Sequence, residues 1–244
     1  MELKSIGIVG YGAFGSFVHT LAKRFLSDVT VRIYSSRNQP DGNLFFPLEE
    51  VCQSDILILC VPIHAFEEWL QKVLPLLALH TVIVDVATVK MHTADLLRRY
   101  ASDKKYIATH PMFGPESYTK THESVDGFRI VITEHTLADD HYSKLTSFLE
   151  HCGFTVIELT SDKHDQHLSE TLFLTHFIGQ ALTSASFERT EIDTVSFGFL
   201  MNAVESVKND TSLFKDVYRY NPYCKETIAR LDKAESVVLA LLEG

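Results

Sequence analysis

Cysteine is scarce and scattered. Cys52, Cys60, Cys152 and Cys224 lie far apart in a chain of 244 residues, with no C-x-x-C pair. This argues against a zinc site or a disulfide framework and fits a reducing compartment. Long apolar runs are also missing. The longest, residues 56–63, is far too short to span a bilayer. Positive charge is in deficit, with Lys+Arg 22 against Asp+Glu 32 and a formal net charge of −10. Such a surface repels nucleic acid and anionic membranes, so any anionic ligand must be held by local groups. Internal repeats and low-complexity segments are absent. The first strand is expected within about five residues of Met1, so neither a leader nor a compartment other than the cytoplasm is expected.

What is present begins at once. The run Ile6-Gly7-Ile8-Val9 enters Gly10-Tyr11-Gly12-Ala13-Phe14-Gly15 and then a helix-like Ser16 to Ala22 segment. Strand, tight turn and helix in this order form the dinucleotide fingerprint. Gly10 allows the turn, Gly12 lets backbone approach a pyrophosphate, and Gly15 lets helix pack on strand. The helix N-terminus then offers N–H groups and a positive dipole to phosphate.

Further strands are predicted at 29–34, 56–61, 81–86, 105–108, 128–132 and 156–159, and helices at 48–52, 66–77, 93–100 and 137–152. Strands alternating with helices predict an α/β fold with a doubly wound, mainly parallel sheet over residues 1–160. From 161 to 244 the β-rich runs stop, and proline is absent until Pro222. Leu168, Leu172, Thr175, Gly179 and Leu182 follow helical spacing, and helices are also predicted at 196–207 and 225–242. This is a small all-helical domain, expected to bury its long helix in a homodimer.

A dinucleotide fold commonly carries an acid at the end of the second strand for the ribose. Here Ser35-Ser36-Arg37 stands there instead, and two hydroxyls with a guanidinium suit a 2′-phosphate, so NADP is expected, with NAD possible. Cys60-Val61-Pro62, at the end of the third strand, is expected to line the cofactor. Among twelve histidines, His110 stands out because it opens His110-Pro111-Met112-Phe113-Gly114-Pro115 just after a strand, where ligand sites of parallel sheets lie. Pro111 biases it to an extended backbone, and a neutral imidazole there can take a proton from a hydroxyl. Thr88 and Lys90, after the fourth strand, fall at the same sheet edge. His164-Asp165 opens the helical region, with His176 twelve residues, near three turns, farther on.

The glycine run, the 85–90 segment, His110 to Pro115 and the helix opened by His164-Asp165 together resemble the prephenate and arogenate dehydrogenase family of tyrosine biosynthesis. The resemblance covers nearly the whole chain. It is nearest to the plant-type arogenate branch, through HD followed by F-x-T-H at Phe173-Leu174-Thr175-His176, Ile192-Asp193-Thr194, and Tyr220-Asn221. It implies a two-domain dimer, without metal, that oxidatively decarboxylates a cyclohexadienol to an aromatic product. His110 would draw the ring-hydroxyl proton as hydride leaves the same carbon, with Thr88 beside it. His176, Gln180, Lys90 and Asp193 would contact the substrate, and Asp193 would favour the ammonium of arogenate. Gln180 stands where the plant-type pattern has arginine, so Arg189, Lys208 and Arg219 are the cations considered for the side-chain carboxylate. Prephenate oxidation and a non-catalytic NADP-sensing role are the alternatives.

Overall fold

The computed structural model describes residues 3–244. The chain divides into two compact units, residues 1–161 and 162–244.

The first unit is a seven-stranded sheet in the order β2-β1-β3-β4-β5-β6-β7. Its strands are β1 (Ser5–Val9), β2 (Thr30–Tyr34), β3 (Ile56–Leu59), β4 (Val82–Asp85), β5 (Lys105–Pro111), β6 (Arg129–His135) and β7 (Thr155–Glu158). All neighbours pair in parallel except β5 with β6. The helices are α1 (Ala13–Phe25), α2 (Leu48–Val51), α3 (Phe66–Val73), α4 (Lys90–Tyr100), α5 (Pro115–Lys120) and α6 (Asp139–His151). The chain leaves β1 to one side for β2 and returns to the other for β3. The ends of β1 and β3 therefore flank the reversal point, where open α/β sheets bind ligands.

β-branched and leucine-rich runs make the central strands, and both faces of the sheet are covered. Leu57, Leu59, Leu70, Ile83 and Leu97 are fully buried on the face covered by α2, α3 and α4. Ile6, Ile8 and Ile33 pack against Ala22 of α1. At roughly 1.5–3 kcal/mol for each fully buried large aliphatic, this layer dominates the stability of the unit.

The second unit contains α7 (Ser161–Leu168), α8 (Leu174–Ser184), α9 (Val195–Val207), α10 (Thr211–Tyr220) and α11 (Cys224–Glu243). Sequence spacing predicts a face through Leu172 and Thr175, but Thr175 is exposed and Phe173 and His176 are buried instead. The reason is a π-helical turn at Ser169–Phe173 between α7 and α8. Its wider turn shifts every later residue around the axis, and such turns cluster at functional sites. No separate helix is predicted from the sequence over α10, although its apolar residues follow helical spacing. The apolar residues of α9 and α11 are less well covered: Phe199 is 71% exposed and Leu242 79%.

Candidate active site

The glycine loop has a geometric explanation for each glycine. Gly10 has φ +99°, and a Cβ on it would stand 2.3 Å from the Cys60 carbonyl oxygen. A Cβ on Gly15 would stand 2.1 Å from the Gly10 carbonyl oxygen. These two positions allow β1, β3 and α1 to meet closely, which only glycine permits. Gly12 differs, since a Cβ there would meet nothing within 4 Å. It is the N-cap of α1, makes no side-chain cap, and is followed by no acid in the first turn. Open space at the N-terminus of a thirteen-residue helix with no carboxylate in its first turn fits a pyrophosphate.

Around this loop, the Tyr11 ring meets Phe45 edge-on at 5.2 Å, Ala13 is exposed, and Phe14 packs on Phe17. Cys60 borders both tight glycines. Burial pushes its thiol up to about 12, so it stays protonated at neutral pH and is no nucleophile. Val61 is half-buried and Pro62 exposed beside it.

At the end of β2, Ser35 is buried and its hydroxyl donates to Asn38 Oδ1 at 2.9 Å while accepting from the Arg37 N–H at 3.2 Å. Ser35 therefore builds the turn, correcting the expectation that it faces a phosphate, and leaves Ser36 and Arg37 exposed on it. The nearby Asp41 carboxylate accepts from the backbone of Asn43, Leu44 and Phe45 at 2.8–2.9 Å. Those bonds hold its carboxyl below the usual range, so this acid serves its own loop. Asn38 was missed in the sequence because its role depends on a turn.

The sequence puts His110 after a strand, whereas β5 runs through it. Antiparallel β6 extends the pairing, with His110 opposite Val131 and Pro111 opposite Ile130. β4 ends at Asp85, opposite Ala108, so no strand on that side requires the N–H that proline lacks. His110 is 5% exposed. Beyond it, Phe113 stacks on Phe128 at 4.9 Å and Phe154 at 5.5 Å, which fixes the following loop in the core.

Lys90 is the clearest correction. Its position at the sheet edge suggests a substrate contact, yet it is 0% exposed. Its ammonium pairs with Asp85 and donates to the Thr109 carbonyl at 2.7 Å. Thr93 donates to the same Asp85 oxygen at 2.6 Å, and the other oxygen accepts from the Ala87 N–H at 2.8 Å. Thr109 in turn donates to the Asp85 carbonyl at 2.7 Å. Thr88 lies half-buried in the bend after Ala87.

In the second unit, His164 Nδ1 lies 2.7 Å from Asp165 Oδ1, both buried, and Asn221 donates to the Asp165 carbonyl at 2.8 Å. His176 is buried beside Phe214, with no hydrogen-bond partner for Nδ1 among the described residues. Burial lowers its basicity, against the opposing pull of Asp210. Gln180 donates to the carbonyls of Val207 and Lys208 at 3.2 and 3.1 Å, so its amide nitrogen caps the end of α9 rather than awaiting a substrate. Thr194, not Asp193, caps α9 by accepting from the Phe197 N–H. Asp193 accepts from Thr190 at 2.9 and 3.0 Å and lies 3.8 Å from Arg189. Arg189 also bonds Glu205 and Asn202, and the Arg219 guanidinium lies over the Tyr220 ring. Among the described residues no group of three or more His, Cys, Asp or Glu could hold a metal, and no helix is long and apolar enough to cross a membrane.

A doubly wound sheet with a glycine loop at its reversal point and a helical second unit defines a dehydrogenase-type nucleotide-binding protein. Residues 43–158 match the family model described as prephenate dehydrogenase, nucleotide-binding domain, and the chain is 30% identical over 248 residues to arogenate dehydrogenase 2, chloroplastic, of Arabidopsis thaliana, covering 95% of this chain and 68% of that protein. The chain belongs to the prephenate and arogenate dehydrogenase family of NAD(P)-dependent oxidoreductases. It is also 32% identical over 249 residues to arogenate dehydrogenase 1, chloroplastic, of the same plant, covering 94% of this chain and spanning only 38% of that protein. A prephenate dehydrogenase from A. aeolicus, solved with hydroxyphenyl propionate and NAD+, shares the fold at a TM-score of 0.76 and 18% identity, over 99% of this chain and 91% of that one. Residues 181–244 match a model described as TYRAAT1-like, C-terminal domain.

Proposed function

We propose that the chain is an NADP-dependent dehydrogenase that oxidises and decarboxylates arogenate to tyrosine. The observation that carries this reading is the buried His110 on the stretch of β5 that outruns β4, in the same unit as the open space at Gly12. His110 accepts the proton of the ring hydroxyl as the C–H bond on the same carbon breaks, and Thr88 shares that oxygen. A nicotinamide dinucleotide held at the Gly10–Gly15 loop would supply the hydride acceptor. The C–C bond to the ring carboxylate then breaks, its electron pair completes the aromatic ring, carbon dioxide leaves, and the proton returns from His110 to the phenolate oxygen.

Exposed Ser36 and Arg37 on a turn built by Ser35 and Asn38 support recognition of a 2′-phosphate. Arogenate is supported by the names of the two plant relatives and by Asp193, since a buried ammonium needs an anionic partner. His176 is the second substrate contact we assign in the helical unit. One observation favours a second reading: Arg189 already faces Asp193 at 3.8 Å, so that carboxylate is balanced without an ammonium, as prephenate would require. Self-association through the helical unit is supported by exposed Val237, Val238, Leu239, Leu241 and Leu242 along the end of α11, an apolar stripe of the kind that marks interfaces.

The test is His110→Asn. The expected outcome is a kcat about 10²- to 10⁴-fold lower with cofactor binding retained. Near-normal kcat would remove His110 from the chemistry.

A further inference from the structure

We infer that the buried Asp85–Lys90 pair is a positioning device that fixes the Thr88 bend and the Thr109–His110 peptide relative to one another. The inference rests on the reading of His110 as proton acceptor.

β4 stops at Asp85, opposite Ala108, while β5 goes on through Thr109 and His110. On the β4 side the last pair therefore falls at Ala108, two residues before His110. On the other side the pairing with β6 shifts register between Ala108 and Thr109. Past that shift Thr109 pairs with Ile132 and His110 with Val131, so β6 holds the Thr109–His110 peptide on one side, while on the β4 side no strand bonds it. Side chains take over at this point. The Lys90 ammonium holds the Thr109 carbonyl, the first half of the peptide bond that leads into His110. The Thr109 hydroxyl holds the Asp85 carbonyl.

The same aspartate reaches the other candidate residue. One carboxylate oxygen accepts from Ala87, which folds the bend carrying Thr88, and the second accepts from Lys90 and Thr93. One carboxylate thus ties the Thr88 bend, the start of α4 and, through Lys90, the backbone of His110. Four polar side chains here are 0–6% exposed. Burying an ion pair is costly, and apolar residues of similar volume commonly stabilise a fold as well or better. What the apolar version cannot supply is a directed bond to a particular carbonyl and a particular N–H. Lysine at 90 therefore acts on the chemistry through backbone geometry and not by touching substrate.

The test separates geometry from stability. Asp85→Leu/Lys90→Met removes both charges together, so neither is left buried alone, and Thr109→Val removes one bond with little change of shape. Each variant is assayed for kcat, KM, cofactor Kd and Tm, with His110→Asn in parallel. The expected result is a kcat lower by about tenfold to a hundredfold in the double variant and several-fold in Thr109→Val, the scale of a sub-ångström to ångström misplacement. KM and cofactor Kd stay within about twofold, and the fall in kcat does not follow Tm. If the double variant does not fold, Thr109→Val decides. A folded variant with wild-type kcat beside an inactive His110→Asn, or a kcat that falls only in step with Tm across the variants, overturns the inference and leaves the reading of His110 standing. Wild-type turnover by His110→Asn overturns both.

Discussion

The sheet unit and the helical unit solve the same burial problem in different ways. In the first, strands covered on both faces bury Leu57, Leu59, Ile83 and Leu97 completely, and the sites hang on backbone features: a left-handed glycine, a strand end, a helix N-terminus. In the second, helices share a thin core around Leu168, Phe173 and Val204 and leave Phe199 and the end of α11 uncovered. Its polar residues find roles through long-range contacts, as Gln180 does with the end of α9. Function tied to backbone geometry tolerates little change. Function carried by helix surfaces depends on what those surfaces meet.

That contrast can be broken at its strongest point with Gly15→Val. A side chain 2.1 Å from the Gly10 carbonyl must separate α1 from β1, and cofactor affinity should fall more than about a hundredfold, because the loop can no longer meet the phosphates. Isothermal titration reads this directly, and unchanged affinity would show that the close approach is dispensable. In the helical unit, Phe173→Ala removes a ring stacked on Phe214 and Tyr218 at 5.4 and 6.0 Å. It should cost about 3–5 kcal/mol and appear in calorimetry as an earlier transition that leaves cofactor affinity in place. Simultaneous loss of both would mean that the two units unfold as one.

A smaller effect is expected at the β2 turn. Arg37→Ala should weaken NADP+ by roughly 1–3 kcal/mol, the range for a charge-assisted phosphate bond, and leave NAD+ nearly unchanged. Equal loss for both cofactors would assign the guanidinium another role.

The smallest expected effect concerns pH and crosses both units. Burial is the first cause that lowers His19, His92 and His176 below 6.5. Between 6.5 and each lower folded value the unfolded chain binds more protons than the folded one, so stability rises with pH through that window and falls on acidification. Melting scans between pH 7.5 and 5.5 should show a declining Tm. His176→Phe should flatten the decline of the helical transition only, and an unchanged slope would show that its proton is not linked to folding.

The sheet was largely legible in the sequence because local patterns and tertiary environment agree there. β-branched runs mark the strands, and the glycines announce a turn that the backbone requires. Legibility failed where a role depends on a distant partner. His110 reads as a residue beyond a strand because nothing local reveals antiparallel β6 lying alongside. Lys90 reads as a sheet-edge substrate contact because its carboxylate partner and Thr109 come together only in the folded sheet. In the helical unit a single π turn at Ser169–Phe173 moves burial from Thr175 to His176, and a period-based reading cannot foresee an inserted residue. Asp193 reads as a substrate contact, and its folded partners Thr190 and Arg189, like the α9 cap supplied by Thr194 one residue on, come into view only once the loop is folded.

The most direct measurement is a steady-state assay of the purified chain with arogenate and prephenate, each with NADP+ and NAD+, following reduced cofactor and released carbon dioxide together. The account predicts the highest kcat/KM for arogenate with NADP+, with one carbon dioxide for each cofactor reduced. Binding of NADP+ without turnover of either substrate would contradict it.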